Sequence, residues 1–136
     1  MAAACVERVF TVSLFSAPGS EAVRCRGLVD VVLRYAAADP YAVALSFAVA
    51  PRVGWRVSRE LLTNGLSGPV GIGDVKVFPG PARVRIELAS PTGRAAIFVH
   101  RTDLEKAIAA TERLVRPGSE YVRIDWDREL SSLGVA

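Results

Sequence analysis

The residues best suited to nucleophilic or metal chemistry are His100, Cys5 and Cys25. A Ser-His-Asp arrangement would have to use His100, which sits at a predicted strand end, and no G-x-S-x-G elbow accompanies it. The cysteines form no C-x-x-C pair, and with one histidine they make a poor metal set. If residues 6–15 and 24–33 form a hairpin centred near Gly19, Cys5 and Cys25 fall at opposite ends of it, out of disulfide reach. Both are expected to be buried or half-buried thiols. Gly71-Ile72-Gly73-Asp74 looks like part of a phosphate loop, but a strand follows it where a helix N-terminus would be needed. It reads instead as a turn that uses glycine's freedom. Asp125, Asp127 and Glu129 suit the first turn of a helix, and Asp39 before Pro40 suits a turn start. No catalytic residue, metal or cofactor is expected.

Aromatic residues offer one more chemistry. Tyr35, Tyr41, Phe47 and Trp55 fall on successive predicted strands, with Arg34, Arg52, Arg56 and Arg59 nearby. Such a set could stack bases and grip phosphates of single-stranded nucleic acid. Phe47 and Trp55, however, share parity with aliphatic neighbours and are better placed to fill a core.

A length of 136 residues suits one domain, residues 1–136, with a single core. The hydrophobic share is 51% and the charged share 23%, which fits a globular chain and not a disordered one. No apolar run is long enough to span a bilayer. The start, Met1-Ala-Ala-Ala-Cys5, carries no basic segment leading into an apolar stretch, so a cytosolic location is expected. The net charge is +3, but the cations are spread along the chain. A nucleic-acid footprint would cluster.

The elements that must position these residues come from periodicity. Strict alternation marks strands at Phe10–Leu14, Val29–Tyr35, Val43–Val49, Val53–Val57, Val75–Val77, Val84–Leu88 and Arg94–Val99. Ser58 is a predicted N-cap for a short helix, Arg59 to Asn64, closed by a left-handed Gly65. Ser90-Pro91-Thr92-Gly93 is a hairpin turn. Thr102-Asp103-Leu104-Glu105 has the form of a capping box. The helix it opens carries Leu104, Ala107, Ile108, Thr111 and Val115 on one stripe. Trp126, Leu130 and Leu133 mark a small C-terminal helix. The expected class is α+β: about seven strands in two antiparallel sheets, with a short middle helix, a longer helix and a terminal one.

One string of residues goes further. Asp39-Pro40-Tyr41-Ala42-Val43 is followed by Trp55-Arg-Val-Ser-Arg59-Glu60-Leu61-Leu62-x-x-Gly65. Then come Pro69-x-Gly71-x-Gly73-Asp74-Val75 and Leu88-x-Ser90-Pro91-x-Gly93. Thr111, Val115, Pro117-Gly118 and Glu120 close the string. In order and spacing, over about residues 28–133, it resembles the SsgA-like sporulation and cell-division proteins of actinomycetes. The resemblance implies a Whirly-like fold, a trimer and a non-catalytic adaptor that brings the tubulin-like division protein FtsZ to septum sites, helped by a paralogue. It implies a cytoplasmic location at division septa, with membrane contact only indirect and nucleic acid not the expected partner. The SsgB-like branch is favoured. Expected partner-binding residues are Arg56, Arg59, Glu60, Asn64 and Asp74. Asp39, Pro40, Tyr41, Trp55, Leu62, Gly65, Gly71 and Gly73 are expected to be structural. The alternative function is a single-stranded nucleic-acid-binding module.

Overall fold

A computed structural model describes residues 4–49 and 53–123. Four strands come first: β1 (Cys5–Pro18), β2 (Arg24–Ala36), β3 (Ala42–Phe47) and β4 (Val53–Ser58). A short helix, α1 (Arg59–Gly65), follows. Four more strands are β5 (Val70–Ile72), β6 (Val75–Pro79), β7 (Arg83–Ser90) and β8 (Gly93–His100). The long helix α2 (Arg101–Leu114) and a 3-10 turn, Glu120–Arg123, complete the described chain. The class is α+β, as expected. The predicted helix over Trp126–Leu133 lies outside the described residues, as do Arg52, Asp125, Asp127 and Glu129.

Two four-stranded meanders make up the sheet, but they are not separate sheets. The order is β4-β3-β2-β1-β8-β7-β6-β5, antiparallel throughout. The join is made by the length of β1. It pairs with β2 from Cys5 to Ser16 and, over Ser13–Pro18, also with β8. A register shift at Leu14/Phe15 and a positive φ at Gly27 mark a bulge there, which adds twist where the halves meet. The eighth strand is β5, too short for alternation to reveal.

Every strand except the short β5 has buried residues. Phe10, Val12 and Leu14 of β1, Val31, Leu33 and Tyr35 of β2, Ile86 of β7, and Ile97 and Val99 of β8 share one core with both helices. The α2 stripe is as predicted: Leu104, Ala107, Ile108, Thr111 and Val115 are all buried. The capping box is not used. Strand β8 runs straight into α2, so the N-cap is His100, without a side-chain bond. Glu105 instead accepts from Arg101 Nε at 2.7 Å, and the Arg101 guanidinium also bonds the Leu66 and Gly80 carbonyls. Among the described residues no helix is long and apolar enough to cross a membrane.

Ser58 caps α1 as the sequence suggested, its hydroxyl accepting from Leu61 N at 3.1 Å. Ser58→Ala is expected to cost about 1 kcal/mol, seen as a lower denaturant midpoint with an unchanged m-value. Gly65 is not the left-handed terminator expected: the cap is Leu66, in right-handed geometry. A Cβ on Gly65 would lie 2.4 Å from Val77 Cγ1. Glycine is therefore needed because α1 presses onto β6.

Candidate partner-binding surface

The seven residues of α1 divide by face. Leu61, Leu62 and Gly65 are buried, while Glu60 and Asn64, one turn apart, are exposed. Two grooves flank this Glu60–Asn64 ridge. One, of about 470 Å³, is lined by Tyr41, Thr63, Pro117 and Gly118 beside the ridge. The other, of about 450 Å³, is lined by Ser58, Leu61, Val70, Gly71 and Ile72. Tyr41 is 51% exposed and Ile72 66% exposed, so each groove carries a large apolar side chain at its mouth. A surface with aromatic and aliphatic side chains beside a polar ridge has the composition of a protein-recognition patch.

Arg59 corrects an expectation. It is not on this surface but 3% exposed beneath it. One Nη donates to the Thr111 carbonyl at 3.2 Å and the Val115 carbonyl at 2.7 Å, so it satisfies two acceptors at the C-terminal end of α2. The other donates to Glu120 Oε2 at 3.1 Å, and the guanidinium lies 4.9 Å from the Tyr35 ring centroid. Tyr35 in turn donates to the Pro40 carbonyl at 2.8 Å. Arg59 therefore fastens α1, α2 and the 3-10 turn together and holds one wall of the first groove. The sequence carried a signal for this. Arg59 stands three residues before Leu62, on the same helix face.

Glu120 also accepts from Gly118 N at 2.6 Å. Its carboxyl titrates below the usual range, held there by a bond from its own backbone N–H, with Arg59 and the Gly118 amide adding to it against the cost of burial. A carboxyl lowered in the folded state contributes stability that is complete above its unfolded pKa. That stability is lost as pH falls through the ordinary carboxylate range toward the folded value, because the unfolded chain binds the proton first. Denaturant titrations from neutral pH downward are expected to show this loss, and Glu120→Gln is expected to flatten it.

The remaining predicted residues are scattered. Arg56 lies on the outer face of β4 in an exposed pair with Asp39, its Nε 3.0 Å from Oδ2. Such a pair contributes at most about 1 kcal/mol. Asp74 is exposed in the β5–β6 turn beside Gly73, whose φ is +58. Leu62 is fully buried, and Trp55 packs half-buried against the core. Of the aromatics considered for base stacking, Tyr35 and Phe47 are core residues and only Tyr41 is exposed. They form no continuous platform. The cysteines are both exposed, contrary to expectation. They lie toward the two ends of the β1–β2 hairpin. Cys25 pairs with Phe15, whose other partner, Ala96, stands four residues along β8 from His100. That separation is about 13 Å at strand rise, too far for a thiol–imidazole pair. Among the described residues no group of three or more His, Cys, Asp or Glu could hold a metal.

Residues 29–120, which run from within β2 through β8 and both helices to Glu120, match the family of Streptomyces sporulation and cell division proteins, SsgA. The chain belongs to the SsgA family. Its relatives include SsgB of Streptomyces coelicolor, a sporulation-specific cell division protein 41% identical over 107 residues, covering 74% of this chain and 78% of that one. SsgB of Kineococcus radiotolerans is 37% identical over 112 residues, covering 77% and 68%. Among solved structures, the SsgA-like sporulation-specific cell division protein of Thermobifida fusca superposes with a TM-score of 0.72 at 30% identity, over 97% of this chain and 98% of that one. SsgB of Streptomyces coelicolor gives 0.70 at 34% identity, over 88% and 96%. The continuous curled sheet with two helices is thus the architecture of SsgA-like proteins.

Proposed function

We propose that this SsgA-family protein acts in sporulation-specific cell division as a non-catalytic adaptor, using the α1 ridge and its flanking grooves to engage FtsZ at septum sites. The observation that carries this reading is the placement of Glu60 and Asn64 on a ridge between two grooves, above an Arg59 clamp that fixes three elements in place. A fixed ridge loses little conformational freedom when it docks. The relatives named for sporulation-specific division support the biological setting. The separation of His100 from Cys25 supports a role through surfaces and not through bond-making. A homotrimer, a paralogous partner and a septal location belong to the same reading.

Co-sedimentation with FtsZ polymers tests it. The wild-type protein is expected to pellet with polymer at micromolar concentration. The double variant Glu60→Lys/Asn64→Lys is expected to lose about tenfold in affinity, the scale of one well-placed interface contact. Its melting temperature should stay unchanged, since both side chains are exposed. Failure of the wild type to pellet would remove the reading.

A further inference from the structure

The two outer strands of the sheet are finished differently. Edge strands expose unpaired backbone N–H and C=O groups and are normally blunted by charge, by proline or by being very short. Strand β4 carries the charged Arg56. Strand β5, Val70-Gly71-Ile72, is short and follows Pro69 but has no charged residue, and its Ile72 is 66% exposed. Among the described residues it pairs with β6 on one side only.

The space around β5 has the period of a strand. Val70 and Ile72 pair with Val77 and Val75, whose side chains are buried, so their own side chains face the α1 side of the sheet. That side holds the 450 Å³ groove with Glu60 and Asn64 on its far wall. Gly71 pairs with exposed Lys76 and faces the other way, where a second groove of about 330 Å³ is lined by Pro69, Gly71, Lys76 and Phe78. An added strand would send alternate side chains into these two grooves.

We infer that β5 is a docking edge for an extended segment of a partner polypeptide, bound by strand addition. Main-chain pairing supplies the contact that does not depend on sequence, and the grooves supply selection. Charge sets the selection. Toward α1 the segment presents one apolar side chain, against Ile72 and Leu61, and one basic side chain to Glu60. Between them, on the opposite face, it presents an acidic side chain to Lys76. Pro69 and the Gly73–Asp74 turn limit the paired stretch to three residues, which suits a reversible contact. The inference rests on the adaptor reading and names how its partner binds.

The test uses the full chain with FtsZ polymers, reading backbone hydrogen exchange together with co-sedimentation. Slowed exchange at residues 70–72 on binding is the expected result. Ile72→Lys, an exposed position where a charge guards the edge, should weaken binding at least tenfold while leaving the unbound protein's melting temperature unchanged. Synthetic ten-residue peptides tiling FtsZ should yield a binder with the apolar–acidic–basic pattern. Co-sedimentation without protection of β5, or with undiminished binding by Ile72→Lys, would overturn strand addition and leave the adaptor reading intact. No co-sedimentation by the wild type would remove both. Slowed exchange at β5 that grows with protein concentration alone would assign the edge to a second copy of this chain and overturn the proposal.

Discussion

Arg59→Ala is expected to lower stability by about 3 kcal/mol, the low end of the cost of breaking a buried ion pair. The loss stays at that end because the Thr111 carbonyl keeps its bond from Val115 N and Glu120 keeps its bond from Gly118 N. The Thr111 and Val115 carbonyls would lose a donor at the end of α2, and the Glu120 carboxylate, 17% exposed, would lose its counter-charge. At roughly 4 °C per kcal/mol for a chain of this size, the melting temperature should fall by on the order of 12 °C. Arg59→Lys is expected to recover less than half of the loss. An ammonium cannot reproduce a planar fork that reaches two carbonyls and a carboxylate at once. A full recovery by lysine would mean that charge alone, and not the shape of the clamp, holds α1 to α2. If Arg59→Ala unfolds the protein outright, Glu120→Gln provides the milder reading, with a smaller loss confined to the 3-10 turn and the end of α2.

Gly65→Ala is expected to cost about 2–3 kcal/mol, although alanine is ordinarily the better helix former. The new methyl carbon would lie 2.4 Å from Val77 Cγ1 and 2.7 Å from Val77 Cβ. Valine is β-branched and rigid at χ1, and Val77 is fully buried on β6, so it has little room to turn aside. Either α1 lifts off the sheet or the strand shifts. The double variant Gly65→Ala/Val77→Ala separates this contact from any general effect of alanine at the helix end. It should be more stable than the sum of the single losses predicts, because the second change removes Val77 Cγ1, the nearest colliding atom, and leaves only the 2.7 Å approach to Cβ to be relieved. Additive losses would show that the close approach is not what requires glycine.

Much of this architecture is legible in the sequence because it follows from burial with a regular period. The α2 stripe and the alternation of β2, β3 and β7 are of this kind, and every residue assigned to the α2 stripe is buried. The single continuous sheet was not legible. It depends on β1 running on to Pro18 and sharing its end with β8, some eighty residues distant, and alternation within a segment says nothing about such a partner. Strand β5 was missed because three residues are too few to show a period. The capping box failed for a physical reason: the residues fit the pattern, but the chain entered the helix without the loop that a side-chain cap requires.

On α1 the expectation of exposure holds for Glu60 and Asn64 and fails for Arg59, which is buried. The spacing to Leu62 puts Arg59 on the buried face, but the partners that satisfy it there, Glu120 and the end of α2, lie more than fifty residues away. The apolar mouths of the grooves, Tyr41 and Ile72, were likewise hidden, one within a turn motif and the other within the unrecognised strand.

The proposed role requires that the exposed Glu60–Asn64 ridge be needed for septation. The direct measurement is septum formation in the organism that carries it, with the native gene replaced by Glu60→Lys/Asn64→Lys and protein abundance followed alongside. Stable protein at normal levels with sporulation septa lost or misplaced is the predicted outcome. Normal ladders of septa from a strain whose only copy carries the altered ridge would contradict it.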